Sequence, residues 1–101
     1  MWLVAMFDLP VVAAEDRKAA TGFRKALLSR GFSMLQYSVY ARFCRSEEFA
    51  KGIGNEIRGL LPDSGQVRLV LITDRQFGKM EVFDGKNRAS TETPQPQLML
   101  F

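Results

Sequence analysis

The sequence predicts an α+β fold, a ferredoxin-like βαββαβ sandwich with two helices on one face of an antiparallel sheet. Three observations carry that expectation. The chain has 101 residues, enough for one domain with a modest core, since a chain of this size buries roughly 60–65% of its unfolded surface. Its composition, 47% hydrophobic and 25% charged, is that of a globular protein and excludes a disordered one. Hydrophobic spacing then changes along the chain in the order strand, helix, strand or pair of strands, helix, strand.

The first element is the apolar run from Trp2 to Asp8, closed by Leu9 and Pro10. The proline lacks an N–H and pushes the residue before it away from helical angles, so the run reads as a buried strand. Helical spacing holds from about Ala14 to Arg30, with Glu15 and Asp16 in the first turn, where carboxylates favour the positive end of the dipole, and Gly31 at the stop. At about 100° per residue, Ala19, Ala20, Phe23, Ala26 and Leu27 share one arc and Arg17, Lys18, Arg24 and Lys25 another. This helix buries one face and presents a cationic one.

From Phe32 to Phe43 the spacing is that of a strand, with Leu35, Tyr37, Val39, Ala41 and Phe43 on one side and Gln36, Ser38, Tyr40 and Arg42 on the other. The residues fit one long strand or two joined by a bend near Gln36 to Ser38, because no Gly or Pro marks a turn. Ser46 reads as a helix cap, followed by Glu47 and Glu48 and a buried stripe of Phe49, Ile53, Ile57 and Leu60 up to Pro62. Gln66 to Thr73 is a Val-, Leu- and Ile-rich strand, followed by a short strand around Glu81 to Phe83 and a turn signal at Asp84-Gly85. Residues 1–88 thus make the ferredoxin-like domain, and 89–101 a flexible C-terminal tail with an apolar end at Leu98 to Phe101.

Both faces of the expected sheet are apolar. Trp2, Val4 and Met6 oppose Leu3, Ala5 and Phe7, while Val67, Leu69 and Leu71 oppose Val70 and Ile72. Two helices cover one face, and a large exposed apolar patch is unusual on a monomer, so the uncovered face calls for a homodimer, most simply two-fold.

The chain contains no histidine and one cysteine, Cys44. This excludes Ser-His-Asp and Cys-His catalysis and His-ligated zinc within one chain, and leaves carboxylates, hydroxyls, Lys or Arg, with or without a hard metal ion. The lone thiol suits a reducing compartment and reads as a small packed residue. The longest apolar run, Met1 to Phe7, falls far short of the ~20 residues of a bilayer span, so the expectation is a cytoplasmic protein with no membrane partner.

Asp8 is the sharpest candidate for chemistry: a carboxylate at the end of a rigid strand, either a divalent-metal ligand or a turn cap. One carboxylate makes a poor hydrolytic metal site, but a two-fold axis bringing two copies of Asp8 together would let one Mg²⁺ lie between them. Arg17, Lys18, Arg24 and Lys25 form a face able to track a phosphate backbone, with Arg30, Arg42 and Arg45 nearby in sequence. The alternative is a solvated helix face. Tyr37 and Tyr40 read as core and sheet-surface residues rather than base-stacking platforms.

Met6-Phe7-Asp8, the basic helix with Arg17-Lys18, Leu27-Leu28 and Gly31-Phe32, and above all Gln36-Tyr37-Ser38-Val39-Tyr40 resemble the CRISPR-associated Cas-two family in the form found with type II systems. The resemblance covers roughly residues 2 to 83. It implies a ferredoxin-like homodimer that bridges dimers of the Cas-one integrase and holds double-stranded prespacer DNA for spacer acquisition. For some members it also implies metal-dependent cleavage of RNA or double-stranded DNA, with the carboxylate at the Asp8 position as catalytic metal ligand. Two positions depart from the pattern. Phe7 stands where a Tyr commonly precedes that Asp, and Leu9 to Ala14 holds no second carboxylate before Glu15. The resemblance further implies that segments past the last core strand meet the integrase, which points to Leu98, Leu100 and Phe101 adding a strand to a partner's sheet edge.

Three functional classes follow. The first is a DNA-binding adaptor. The second is a metal-dependent endoribonuclease, toxin-like, acting on single-stranded RNA. The third, an RNA-binding module suggested by Arg30-Gly31-Phe32, fits poorly, because that tripeptide follows the first helix instead of lying on the third strand.

Overall fold

A computed structural model of the chain describes residues 1–93. Leu98, Leu100 and Phe101 lie outside the described residues. The central strand, β1 (Trp2–Asp8), runs antiparallel to β3 (Val39–Phe43) on one side and to β4 (Gln66–Ile72) on the other, and β2 (Ser33–Gln36) pairs with the outer side of β3. The sheet order β2-β3-β1-β4 is the ferredoxin-like one, with α1 (Ala14–Ser29) and α2 (Glu47–Arg58) as the connecting helices.

Both helices lie on the face of β1 that carries Leu3, Ala5 and Phe7. Phe23 and Leu27 of α1 and Ala50, Ile53 and Ile57 of α2 bury against these residues together with Phe32, Tyr40 and Cys44. Phe7 meets the ring of Phe23 edge-on at 5.3 Å, and each such side chain contributes about 1.5–3 kcal/mol by leaving water. Ala19 is exposed, so the buried stripe of α1 is narrower than its spacing suggests. Ser46 caps α2 as expected, its hydroxyl accepting a hydrogen bond from the Phe49 N–H at 3.1 Å. Leu60 is exposed, because the helix stops at Arg58 before that residue reaches the core.

Residues 32–43 form two strands. The reversal is the pair Tyr37-Ser38, and Ser38 takes the left-handed conformation (φ 64°) that glycine usually supplies. A two-residue turn swaps the parity of paired positions, so an unbroken alternation ought to fail across it. Here a bulge between Met34 and Gln36 adds one residue and restores the parity, leaving Leu35, Val39, Ala41 and Phe43 on one face. Tyr37 itself falls in the turn and is 76% exposed, whereas Tyr40 is buried.

The second face departs from expectation. It is not bare, because a third helix, α3 (Asp74–Gly78), turns back under it and drives Phe77 against Trp2. The two rings stack at 3.9 Å and 8°, Trp2 meets Phe43 edge-on at 5.6 Å, and Trp2 and Val4 end up only 7% and 8% exposed. Thr73 and Gln76 close a reciprocal capping box that fixes where this short helix begins. What stays open is the other end of the face, where Asp8, Gln66, Arg68 and Val70 are exposed. Beyond α3, β5 (Val82–Asp84) and β6 (Asn87–Ala89) pair as a hairpin through Gly85 (φ 65°), separate from the main sheet.

Candidate functional site

Asp8 is held from three sides. It ends the middle strand of the sheet and stands opposite Gln66. One residue earlier, the Phe7 N–H donates to the Ser38 carbonyl at 3.0 Å, which ties the β2–β3 turn to this end of β1. Behind it comes Gly65, whose φ of +93° lets the chain pass so close that a Cβ there would lie 2.6 Å from the Asp8 carbonyl oxygen. The carboxylate side chain is exposed and faces a depression of about 220 Å³ lined by Met6, Phe7, Asp8, Gln66 and Arg68.

These residues do not fit a divalent-metal centre within one chain. Mg²⁺ is held by carboxylates together with substrate phosphates, and no second carboxylate lines this depression. Its remaining charged group is the Arg68 guanidinium, which repels a dication. Among the described residues no group of three or more His, Cys, Asp or Glu is placed to hold a metal ion. Glu15, Asp16 and Asp63 line a different cleft, between the start of α1 and the loop before β4.

The cationic residues lie elsewhere. On α1, Arg17 donates to the carbonyls of Val12 at 2.6 Å and Val11 at 3.3 Å, tying the helix to the β1–α1 loop. Arg24 is half-buried and reaches Thr21 Oγ1 at 3.3 Å. Lys18 and Lys25 point to solvent, and none of the four joins an ion pair among the described residues. The structure therefore groups Arg17, Lys18, Arg24 and Lys25 on α1 but does not bring Asp8 to them: α1 covers one face of the sheet, and the Asp8 side chain opens onto the other.

Arg30, Arg42 and Arg45, counted from sequence as further cations, are engaged in the fold. Arg42 donates to the carbonyls of Arg30 at 2.7 Å and Phe43 at 2.8 Å, and its guanidinium lies 4.6 Å from the centre of the Phe49 ring. Arg45 meets the same ring at 4.8 Å, and Arg30 faces Glu56 at 3.4 Å. The residue that sequence reasoning passed over is Arg68, and its signal was there to read: a single cation in the apolar run from Val67 to Ile72.

Comparison with known proteins agrees with this architecture. The family model for CRISPR associated protein Cas2 matches residues 1–80. The chain is 48% identical over 101 residues to a "CRISPR-associated endoribonuclease Cas2" of Flavobacterium psychrophilum, covering all of this chain and 88% of that one. It is also 48% identical over 101 residues to the protein of the same name from Parvibaculum lavamentivorans, covering both chains in full. The crystal structure of Streptococcus pyogenes Cas2 at pH 6.5 superposes with a TM-score of 0.64 over 83% of this chain and 100% of that one, at 16% identity, a likeness of fold. From the family match and these identities, the chain belongs to the CRISPR-associated protein Cas2 family.

Proposed function

We propose that this chain acts in CRISPR adaptation as a homodimeric scaffold that binds double-stranded prespacer DNA and bridges the Cas-one integrase for spacer acquisition. The observation that carries this reading is the α1 surface, where Arg17, Lys18, Arg24 and Lys25 stand together with no ion-pair partner among the described residues. Cations that no carboxylate neutralises can neutralise phosphates without base contact, Lys18 and Lys25 from solvent and Arg17 and Arg24 alongside them, which suits a protein that must accept any duplex sequence. Two copies double the set. Homodimerisation is supported by the open Asp8 end of the second face, by the outer edge of β4, which has no partner strand among the described residues, and by the β5–β6 hairpin, a two-stranded element that gains stability by joining a larger sheet. Integrase contact is assigned to Leu98, Leu100 and Phe101, and deleting residues 89–101 should abolish co-purification with the integrase.

The test of the DNA surface uses Lys18 and Lys25, which make no contact that the fold needs. Reversing both to Glu is expected to weaken duplex binding and to flatten its salt dependence by about one unit of log–log slope for each phosphate no longer neutralised. Superimposable salt titrations of the variant and the wild type would remove α1 from the DNA site.

A second reading, a metal-dependent endoribonuclease using Mg²⁺ at Asp8, is favoured by the name that the similar proteins carry. Since one chain does not supply the ligands, that activity would require carboxylates from more than one copy. Chelation separates the readings. The scaffold reading expects duplex affinity to be the same in EDTA as in Mg²⁺, with no cleavage of single-stranded RNA in either. RNA cleavage that appears with Mg²⁺ and vanishes with EDTA would establish the enzyme.

A further inference from the structure

Among the described residues Arg68 has no hydrogen-bond or ion-pair partner. It projects from the second face of β4, opposite Met6 in the sheet register, and so is a diagonal neighbour of Asp8, whose own partner is Gln66. Diagonal positions on one face stand roughly 7–8 Å apart at Cα, and the two side chains line the same depression without pairing: the ion pairs among the described residues are Met1–Asp74, Arg30–Glu56 and Lys51–Glu47. Apart from Gln66, which stands opposite Asp8, the β1 and β4 positions of this face are apolar, with Met6, Val4 and Val70 beside the two charges and Trp2 and Ile72 at the far end. A cation amid apolar neighbours is expensive to cover unless the covering surface brings an anion to it.

We infer that the occupant of this face is a second copy of the chain, and that Arg68 of each copy pairs with the partner's Asp8. This inference rests on the homodimer reading above and adds to it the register of the interface and a role for Asp8. The argument is charge complementarity under two-fold symmetry. A two-fold axis lying in the interface midway between Asp8 and Arg68 carries each carboxylate over the partner's Arg68 and each guanidinium over the partner's Asp8, so one contact is made twice. It also lays Met6, the incompletely covered apolar residue between them, against its counterpart, while the α3-covered end around Trp2 is left clear. In this arrangement the Asp8 carboxylate is held by a guanidinium, and its loss weakens the dimer whether or not it ever meets a metal ion. A drop in nuclease or DNA-binding activity in Asp8 variants then reports assembly before it reports catalysis.

The test measures self-association of the full chain by sedimentation equilibrium, comparing the wild type, Asp8→Arg, Arg68→Asp and the double variant carrying both changes. Both positions are exposed in the single chain, and circular dichroism checks that each variant keeps its fold. The expected result is a wild-type dimer at micromolar concentration, each single variant associating about 30-fold or more weakly, and the double variant recovering to near wild-type affinity. Single variants that dimerise like the wild type, or a double variant no better than the worse single one, would overturn the pairing while leaving a homodimer standing. A wild-type chain that stays monomeric would overturn the homodimer itself, and the pairing with it.

Discussion

Replacing Phe77 with Ala is expected to lower stability by about 3–5 kcal/mol, a large share of the 5–15 kcal/mol typical of a small domain. The side chain is 1% exposed, and its ring stacks on Trp2, so truncation opens a cavity under the sheet and removes the one large residue that fastens α3 to the second face. At that magnitude the melting temperature should fall by more than about 12 °C, compared at equal protein concentration because self-association adds to apparent stability. The chain has a single tryptophan, so its emission reports on the surroundings of Trp2 alone. A red shift of Trp2 fluorescence well below the melting transition is expected, as water reaches the indole that Phe77 now covers. An unchanged emission maximum and an unchanged melt would show that α3 does not seal this face.

The same residue shows what the sequence conceals. The long elements are legible because they have room to display a period: seven residues of continuous apolar strand in β1, sixteen of amphipathic helix in α1, and a Ser cap followed by two acidic residues in α2. A helix of five residues has no such room, and Phe77 lies between Gln76 and Gly78 with nothing to mark it as buried. Without α3 the second face looks entirely bare from sequence, whereas half of it is closed by the chain itself. The β2–β3 turn is hidden for another reason. Turn and bulge each shift side-chain parity by one, the shifts cancel, and the alternation from Leu35 to Phe43 reads through the reversal as though it were straight.

The candidate site divides in a similar way. The cationic row of α1 follows from helical spacing, and Asp8 from its place after a closed apolar run, so both are visible without any coordinates. That they open onto opposite faces is not visible, because which side of β1 receives α1 depends on the register of packing and leaves no trace in composition. Arg30, Arg42 and Arg45 are overcounted as surface charge for a related reason. Sequence gives a cation's number and sign, but its availability depends on carbonyls and rings brought up from elsewhere, here the Arg30 and Phe43 carbonyls and the Phe49 ring.

Gly65→Ala should be the most damaging change that removes no interaction. At φ +93° an L side chain is strained, at a cost of about 1–3 kcal/mol, and the added Cβ would stand 2.6 Å from the Asp8 carbonyl oxygen, 2.9 Å from Leu9 Cδ2 and 3.0 Å from Leu9 Cα. Two of these three atoms are backbone, which has no rotamer to yield, so relief requires the end of β1 to move, adding about 1–3 kcal/mol of overpacking. Gly22→Ala is the control. It sits inside α1, where the new Cβ would meet nothing within 4 Å beyond the adjoining backbone of its own helix, and the change should stabilise by about 0.5–1 kcal/mol through helix propensity. Backbone amide chemical shifts give the second readout: in Gly65→Ala the largest changes should fall on Asp8, Leu9 and Gln66, and in Gly22→Ala they should stay within α1. Because Asp8 moves with its carbonyl, Gly65→Ala should impair every property assigned to that carboxylate, including self-association, even at temperatures where the protein is fully folded. A Gly65→Ala protein that melts with the wild type and keeps its Asp8 amide shift would mean that the loop before β4 has room to swing away, and that the position of Asp8 is set by its strand alone.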